Sequence, residues 1–487
     1  MARSFNPDQV QLPAGHWIGG TYVNGDGGMA LLRPSDAVRF AECPIADAEL
    51  VERAVAAAKA ALKTSGWSTC RPRQRTEALH RWANLIEAEA ETLGRLESLA
   101  SARPISQSVS IDVAVTAEQI RFFAELADKE GGDVVPTDGQ HLGMILSEPY
   151  GVVGAITPWN VPLSMAGWKL GPALAAGNAV VLKPSEMTPF STLHLAELSV
   201  RAGIPAGIVN IVLGDGLTTG VSLIGHPDIA KVSFTGSTLA GGSILKTIAA
   251  TQIKPVTLEL GGKSPQIVFA SADIGMAAAC IARGILINAG QTCVAGTRVL
   301  VDRKVAEPLV AALRTAMSAH RAGPTWDSAT DYSPIISERQ IQRIETIVDA
   351  AVAGGAECVL GGRRMDRAGY FYEPTILTAV DRTSPALTEE IFGPVLTVQT
   401  FEDEEEAFAL SDHPTYGLAA GVYSSDLSQA LRAVKRVEAG TVWVNRYGRS
   451  RDHILPTGGY KNSGIGKDLG KEAYKANRRQ KSVLLAI

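Results

Sequence analysis

Two side chains that could do covalent chemistry bracket one stretch of the chain. Glu259 closes an apolar run and is followed by Leu260-Gly261-Gly262-Lys263-Ser264-Pro265; after a helix-length interval comes Asn288-Ala289-Gly290-Gln291-Thr292-Cys293. A thiolate is a nucleophile, a carboxylate can take a proton, and glycines let backbones approach closely, so these two are a candidate nucleophile and base. Residue type and spacing alone also fit an inert buried thiol and a strand-end charge, because most cysteines pack as small hydrophobes.

The elements around that stretch must position it. Apolar runs at 151–156, 179–182, 208–213, 231–234 and 255–260 alternate with helix-length segments at 161–176, 188–202, 217–225 and 237–250. That pattern predicts buried parallel strands with crossover helices, a doubly wound nucleotide-binding sheet. A second alternation has strands at 266–269, 297–301, 395–400, 417–423 and 441–444 and helices near 273–288, 304–321, 337–353, 404–411 and 427–437, which predicts a second α/β unit. Ahead of both, helical spacing at 47–64, 73–99 and 114–128 predicts packing helices after an irregular, glycine-rich lead-in. The acidic run Glu402-Asp403-Glu404-Glu405-Glu406 reads as a solvated helix start.

A chain of 487 residues is too long for one ordinary core, so roughly two to four structural units are expected. A net charge of -4 and a pI near 6.1 argue against nucleic acid or an anionic membrane as a partner and favour a small molecule. The 5 cysteines (Cys43, Cys70, Cys280, Cys293 and Cys358) show no CxxC or Cys/His spacing, so no metal is expected and a reducing compartment suits them. The N-terminus lacks an apolar signal core and no stretch approaches the roughly 18 apolar residues of a membrane span, which predicts a cytoplasmic protein.

The Glu259 and Cys293 segments stand with Thr157-Pro158-Trp159-Asn160, Lys183-Pro184-Ser185-Glu186, Phe234-Thr235-Gly236-Ser237 and Glu389-Glu390-Ile391-Phe392-Gly393-Pro394-Val395. In this order, over nearly the whole chain, they resemble the NAD(P)-dependent aldehyde dehydrogenase superfamily. The resemblance implies an α/β fold with a Rossmann-like cofactor domain (1–128 and 149–258), a second α/β catalytic domain (259–445) and a small β oligomerisation arm (129–148 and 466–487). It places a substrate-mouth loop at 446–465, returning to the cofactor domain, and implies a homodimer or homotetramer.

It also implies roles. Cys293 attacks the aldehyde, Glu259 is the base that hydrolyses the resulting thioester, and Asn160 with the Cys293 N–H holds the oxyanion. Lys169 matches a family lysine linked to proton release; its acidic partner here is Asp468, where glutamate is commoner, and the shorter side chain leaves a direct relay open. The implied cofactor is NAD, with NADP as the alternative. The usual GxGxxG fingerprint is not met, because Gly214-Asp215-Gly216-Leu217-Thr218-Thr219-Gly220 is one residue longer. The family holds its pyrophosphate with another loop, supplied here by Phe234, Thr235, Gly236 and Ser237, where free helix N–H groups favour phosphate. Ser237 also suits a plain helix N-cap. Lys183, Ser185 and Glu186 are placed at the adenosine ribose, with Gly216 and Gly220 beside them. Ile156, Thr157, Pro158, Trp159, Leu260 and Gly261 are placed along the cofactor, Glu390 at the nicotinamide ribose and Phe392 against its site. Glu186 should repel a 2′-phosphate and favour NAD roughly tenfold or more.

The implied substrate residues are Val161, Trp168, Ile287, Thr292, Arg446, Arg449, His453 and Thr457. Val161, Ile287 and Thr457 stand where relatives acting on aliphatic aldehydes often carry aromatics, so a wider, less aromatic pocket is expected. The loop Asn445-Arg446-Tyr447-Gly448-Arg449-Ser450-Arg451-Asp452-His453-Ile454-Leu455 is locally cationic. An arginine turned inward would hold a carboxylate through a bidentate pair, which favours a semialdehyde or another polar aldehyde. The same arginines also suit salt bridges at an interface. The rival readings are an aliphatic or aromatic aldehyde as substrate, a CoA-acylating enzyme, which usually lacks a glutamate at the Glu259 position, and a non-catalytic relative.

Overall fold

The computed structural model describes residues 3–25, 27–450 and 452–487. Arg451 of the cationic loop lies outside the described residues. The first sheet is built on the expected apolar runs, now Val152–Ile156, Ala179–Lys183, Val209–Ile211, Lys231–Thr235 and Val256–Glu259, buried along almost all their length. They run parallel in the spatial order 209–211, 179–183, 152–156, 231–235, 256–259. The order reverses between Val152–Ile156 and Lys231–Thr235, and a crevice opens beyond the carboxyl ends of strands at such a switch point.

The lead-in is less irregular than its sequence suggests. His16–Ile18 and Thr21–Val23 extend one edge of the sheet, and Met29–Leu32 pairs with Arg39–Cys43 in a separate hairpin. Strands of 3 residues are too short to show a period. The helical stretch at 73–99 is two helices, Pro72–Ala88 and Ala90–Ala100, because Glu89 leaves helical geometry at φ -97° and ψ 21°. Gly216–Gly220 forms a wide helical turn, not a fingerprint loop, with the Thr218 N–H donating to the Asp215 carboxylate at 2.6 Å.

The second sheet runs Glu357–Leu360, Thr375–Thr378, Val395–Phe401, Arg298–Asp302, Pro265–Val268, Ala419–Tyr423, Thr441–Val444, all neighbours parallel except the first pair. The first two strands escaped the sequence reading; Glu357–Leu360 is a mostly exposed edge strand whose register shifts near Cys358. Each sheet buries its own core. The first core draws on residues up to Leu260 and on Leu469, Ala473 and Tyr474 near the helix Gly470–Ala476, whereas the others begin at Ile267 and Val268. A third sheet joins Asp133–Val135, His141–Pro149 and Arg478–Ala486, with Arg478 opposite Pro149 and Ala486 opposite His141. No described helix is long and apolar enough to cross a membrane.

Candidate active site

The segment from Glu259 to Pro265 carries the chain from the last parallel strand of the first sheet into the second. Its glycines are demanded by what they touch. A Cβ on Gly262 would stand 2.7 Å from the Cys293 carbonyl oxygen, and one on Gly261 would stand 2.4 Å from Glu390 Oε2. At Gly262 the clash is with backbone and no side chain fits, and at Gly261 a side chain would displace the Glu390 carboxylate, so the two glycines let one strand end meet the cysteine loop and the 389–395 segment together.

The cysteine loop is strained and clamped. The expected helix at 273–288 stops at Leu286, because Asn288, Ala289 and Gly290 take left-handed φ values of 54°, 50° and 73°. The two non-glycine residues cost about 1–3 kcal/mol each, so the surroundings must hold them. The Asn288 side-chain amide donates to the Asn160 carbonyl at 2.8 Å, and that of Gln291 donates to the carbonyls of Asn288 at 2.9 Å and Pro334 at 3.0 Å. The Ile336 N–H donates back to Gln291 at 2.8 Å. Asn160 Nδ2 spends one hydrogen on the Gln291 carbonyl at 2.9 Å and keeps the other. Among the described residues the Cys293 N–H has no backbone acceptor.

Burial pushes the Cys293 thiol up to about 11, opposed by the charge of Arg449. Burial also pushes Glu259 up to about 8, reinforced by Asp468 and opposed by Lys169, Arg449 and Lys467. Glu259 Oε1 is buried without a partner among the described residues. The same group of charges holds a buried ion pair: Lys169 Nζ contacts the Asp468 carboxylate directly, so the shorter aspartate does reach its lysine. Lys231 completes the cluster, donating to Thr257 Oγ1 at 2.8 Å and lowered to about 8 by burial against the opposing charge of Asp468.

Above this floor lies a cavity of about 710 Å³. Pro158, Trp159, Asn160, Val161, Trp168, Thr235, Gly236, Ser237, Leu260, Gly261, Ile287, Thr292, Cys293, Glu390, Phe392, Arg446, Arg449 and His453 line it. Ile156, Thr157, Lys169, Lys183, Ser185, Glu186, Gly216, Gly220, Phe234, Glu259 and Thr457 do not reach its wall. At one end Ser237 caps the helix Thr238–Thr251, its oxygen accepting from the Ala240 N–H at 3.2 Å, so the helix start opens on the cavity. The Gly262 N–H donates to Glu390 at 3.0 Å, and burial raises that carboxyl to about 7. Phe392, at φ 56°, meets Trp159 edge-on with ring centroids 5.2 Å apart, and Gln340 holds the carbonyls of Ile391 and Phe392 at 3.0 Å each. Behind this end, Lys183 Nζ donates to the Gly214 carbonyl at 2.6 Å and lies 3.6 Å from Glu186, while Gly220 packs beside Ile156 and Lys183.

At the other end the Arg449 guanidinium stacks 5.1 Å from the Trp168 ring centre, and its Nη2 donates to Thr457 Oγ1 at 2.6 Å. This corrects the expectation that Thr457 lines and widens the pocket, because its side chain does not reach the cavity wall. Its backbone exchanges hydrogen bonds with Asp468 at 2.7 and 2.9 Å, which turns it away from the wall, and its hydroxyl is taken by Arg449. His453 is buried at φ 56°, with Nε2 lacking a partner among the described residues. Arg446 and Arg449 make no ion pair among the described residues.

Comparison with known proteins decides the family. Residues 22–483 match the model of the aldehyde dehydrogenase family. The chain belongs to that family. It is 40% identical over 480 residues to an aldehyde dehydrogenase of Aspergillus niger, spanning 98% of this chain and 96% of that protein. An indole-3-acetaldehyde dehydrogenase of P. syringae in complex with NAD+ and IAA matches at a TM-score of 0.96 and 37% identity, over 99% of this chain and 98% of that one. A gamma-glutamyl-gamma-aminobutyraldehyde dehydrogenase from Burkholderia cenocepacia matches at 0.96 and 38%, again over 99% and 98%.

This aldehyde dehydrogenase also carries site residues that sequence reasoning passed over. Arg283 lines the cavity and makes no ion pair among the described residues. It sits one helical turn before Ile287, so counting back four residues from that position would have found it. Arg103, Asp112 and Gln119 line the same wall from segments read only as packing helices or connectors. Arg103 binds Asp112 through two hydrogen bonds of 2.8 and 2.9 Å. Among the described residues no group of 3 or more His, Cys, Asp or Glu side chains gathers as metal ligands.

Proposed function

We propose that this aldehyde dehydrogenase uses NAD to oxidise a polar, acid-bearing aldehyde of the semialdehyde type to the carboxylic acid. One observation carries the substrate assignment. Arg283, Arg446 and Arg449 line the cavity without a carboxylate partner among the described residues, while Asp112, the acid on that side, is already bound by Arg103. A carboxylate arriving there meets charged donors without displacing another acid. Relatives at 37% and 38% identity are named for an indole aldehyde and for a gamma-glutamyl aldehyde, so membership of the family leaves the substrate to such side chains.

The residues around Cys293 support the following chemistry. Cys293 gives its thiol proton to water, and the resulting thiolate Sγ adds to the aldehyde carbon, forming a C–S bond and an oxyanion. The free hydrogen of Asn160 Nδ2 and the Cys293 N–H are its donors, each worth roughly 3–4 kcal/mol. Bound NAD supplies the two-electron hydride acceptor. Loss of hydride from the carbon leaves a thioester on Cys293. Glu259 takes a proton from the attacking water, the C–S bond breaks, and the acid departs from a regenerated thiolate. A base raised to about 8 by burial is matched to work near neutral pH, and the Asp468–Lys169 pair close by is the next place its proton can go.

The fit for NAD rests on the helix start at Ser237 for the pyrophosphate, on Glu390 for a ribose and on the Lys183–Glu186 pair for the adenosine end. Exposed Val134, Leu484 and Ile487 on and beside the third sheet support assembly of a homo-oligomer through it. Initial rates over an aldehyde panel with NAD, NADP and CoA test the reading. An acid-bearing semialdehyde should exceed a neutral aldehyde of equal length by about tenfold in kcat/KM, and Arg449→Ala should remove the ranking. A neutral aldehyde ahead by that margin would refute the substrate assignment, and acyl-CoA formation would refute release of the free acid.

A further inference from the structure

Arg446 and Arg449 differ in how they are held. Arg446 is exposed, whereas Arg449 is half-buried and fixed at two points, over the Trp168 ring and at Thr457 Oγ1. Those two supports are themselves joined. The Thr457 backbone is hydrogen-bonded both ways to Asp468, the Asp468 carboxylate binds Lys169, and Lys169 follows Trp168 in the helix Pro162–Ala175. The closed circuit leaves Arg449 little rotamer freedom to lose on binding, and a guanidinium has donors beyond the one that Thr457 uses. His453, buried with Nε2 unpartnered among the described residues, lines the same end of the cavity.

Resting on the acid-bearing reading above, we propose that Thr457 is a positioning residue that sets substrate class. Its hydroxyl holds Arg449 over Trp168 so that the guanidinium meets the distal carboxylate of the aldehyde in one orientation, with His453 Nε2 as a second contact. Thr457 acts only through Arg449, because its own side chain does not reach the cavity wall. The substrate is then an aldehyde with a carboxylate at its far end, long enough to reach Arg449 while its carbonyl stands at Cys293. The effect belongs to the hydroxyl and not to side-chain volume.

The test compares Thr457→Val, which keeps the shape and removes the hydroxyl, with Thr457→Ser, which keeps the hydroxyl. Both are assayed with glutarate semialdehyde and with pentanal, and glutarate binding to the cofactor-free enzyme is read by calorimetry. Thr457→Val should lower the semialdehyde-to-pentanal ratio of kcat/KM by about tenfold and weaken glutarate binding in step, as expected for a lost hydrogen bond to a charged group. Thr457→Ser should keep both near the wild-type values. If Thr457→Val does not fold, Thr457→Ala makes the same comparison against Thr457→Ser. An unchanged ratio and unchanged glutarate affinity in Thr457→Val, or equal losses in Thr457→Ser, overturn the positioning role. A wild-type enzyme that prefers pentanal overturns the acid-bearing reading as well, so the two failures are distinguishable.

Discussion

The two ends of the cavity are made of different material. At the end near Ser237 backbone sets the contacts: a helix start, the close approach allowed by Gly261 and Gly262, and the Gly262 N–H that fixes the acidic side chain there, Glu390. At the end near Arg449 they come from side chains on a loop that begins at Asn445 with φ 50° and passes through His453 at φ 56°. Backbone donors do not depend on the identity of the residue that carries them, whereas a side-chain end is retuned by one substitution. Relatives can therefore share one reaction and differ in the aldehyde they take.

Replacing Cys293, which stands between the two ends, should have the largest effect. Cys293→Ser is expected to lower turnover by at least about a thousandfold, because a serine hydroxyl is far less ionised than a thiol, while calorimetry still detects NAD binding at the backbone-built end. Loss of NAD binding in the same variant would show that the two ends are not separable. Glu259→Gln should leave a stoichiometric burst of NADH in rapid mixing and slow the steady state by about a hundredfold or more, since the base is needed after hydride transfer.

The buried floor comes next. Asp468→Asn strands the Lys169 charge and should destabilise the fold by about 3–5 kcal/mol in denaturant titration, far more than removing an exposed surface ion pair. The pH dependence follows from the same floor. Glu259 works ionised and burial raises it to about 8, so the thioester-hydrolysis rate should climb with pH up to that value and then level off. Single-turnover measurements in which the limb persists in Glu259→Gln would assign it to another group. The smallest effect is expected from Arg283→Ala. An exposed cation at the side-chain end contributes mainly to encounter, so kcat/KM for a semialdehyde should fall only about threefold and lose part of its salt dependence.

Much of this was legible beforehand for identifiable reasons. Strands such as Ala179–Lys183 are buried on both faces and read as unbroken apolar runs, and helices such as Glu404–Ser411 announce themselves with an acidic first turn. Cys293, Glu259 and Asn160 sit in short motifs whose neighbours are dictated by close backbone approach. Edge strands such as Glu357–Leu360 were missed because they are short and half in solvent, and the break at Glu89 because no proline or glycine marks it.

Chain order by itself determined the two α/β alternations and the family, because each depends on local pattern or on short motifs in a fixed order, and through that family it points to Cys293 and Glu259 as the proposed nucleophile and base. It could not say which distant side chains meet. Lys169 touches Asp468 across 299 positions, Asn160 reaches the Gln291 carbonyl across 131, and Thr457 spends its hydroxyl on Arg449 instead of the pocket. Those partners are chosen by how the two sheets and the 446–470 segment pack around the cavity, and the direction in which a side chain points is settled only when its backbone has been placed.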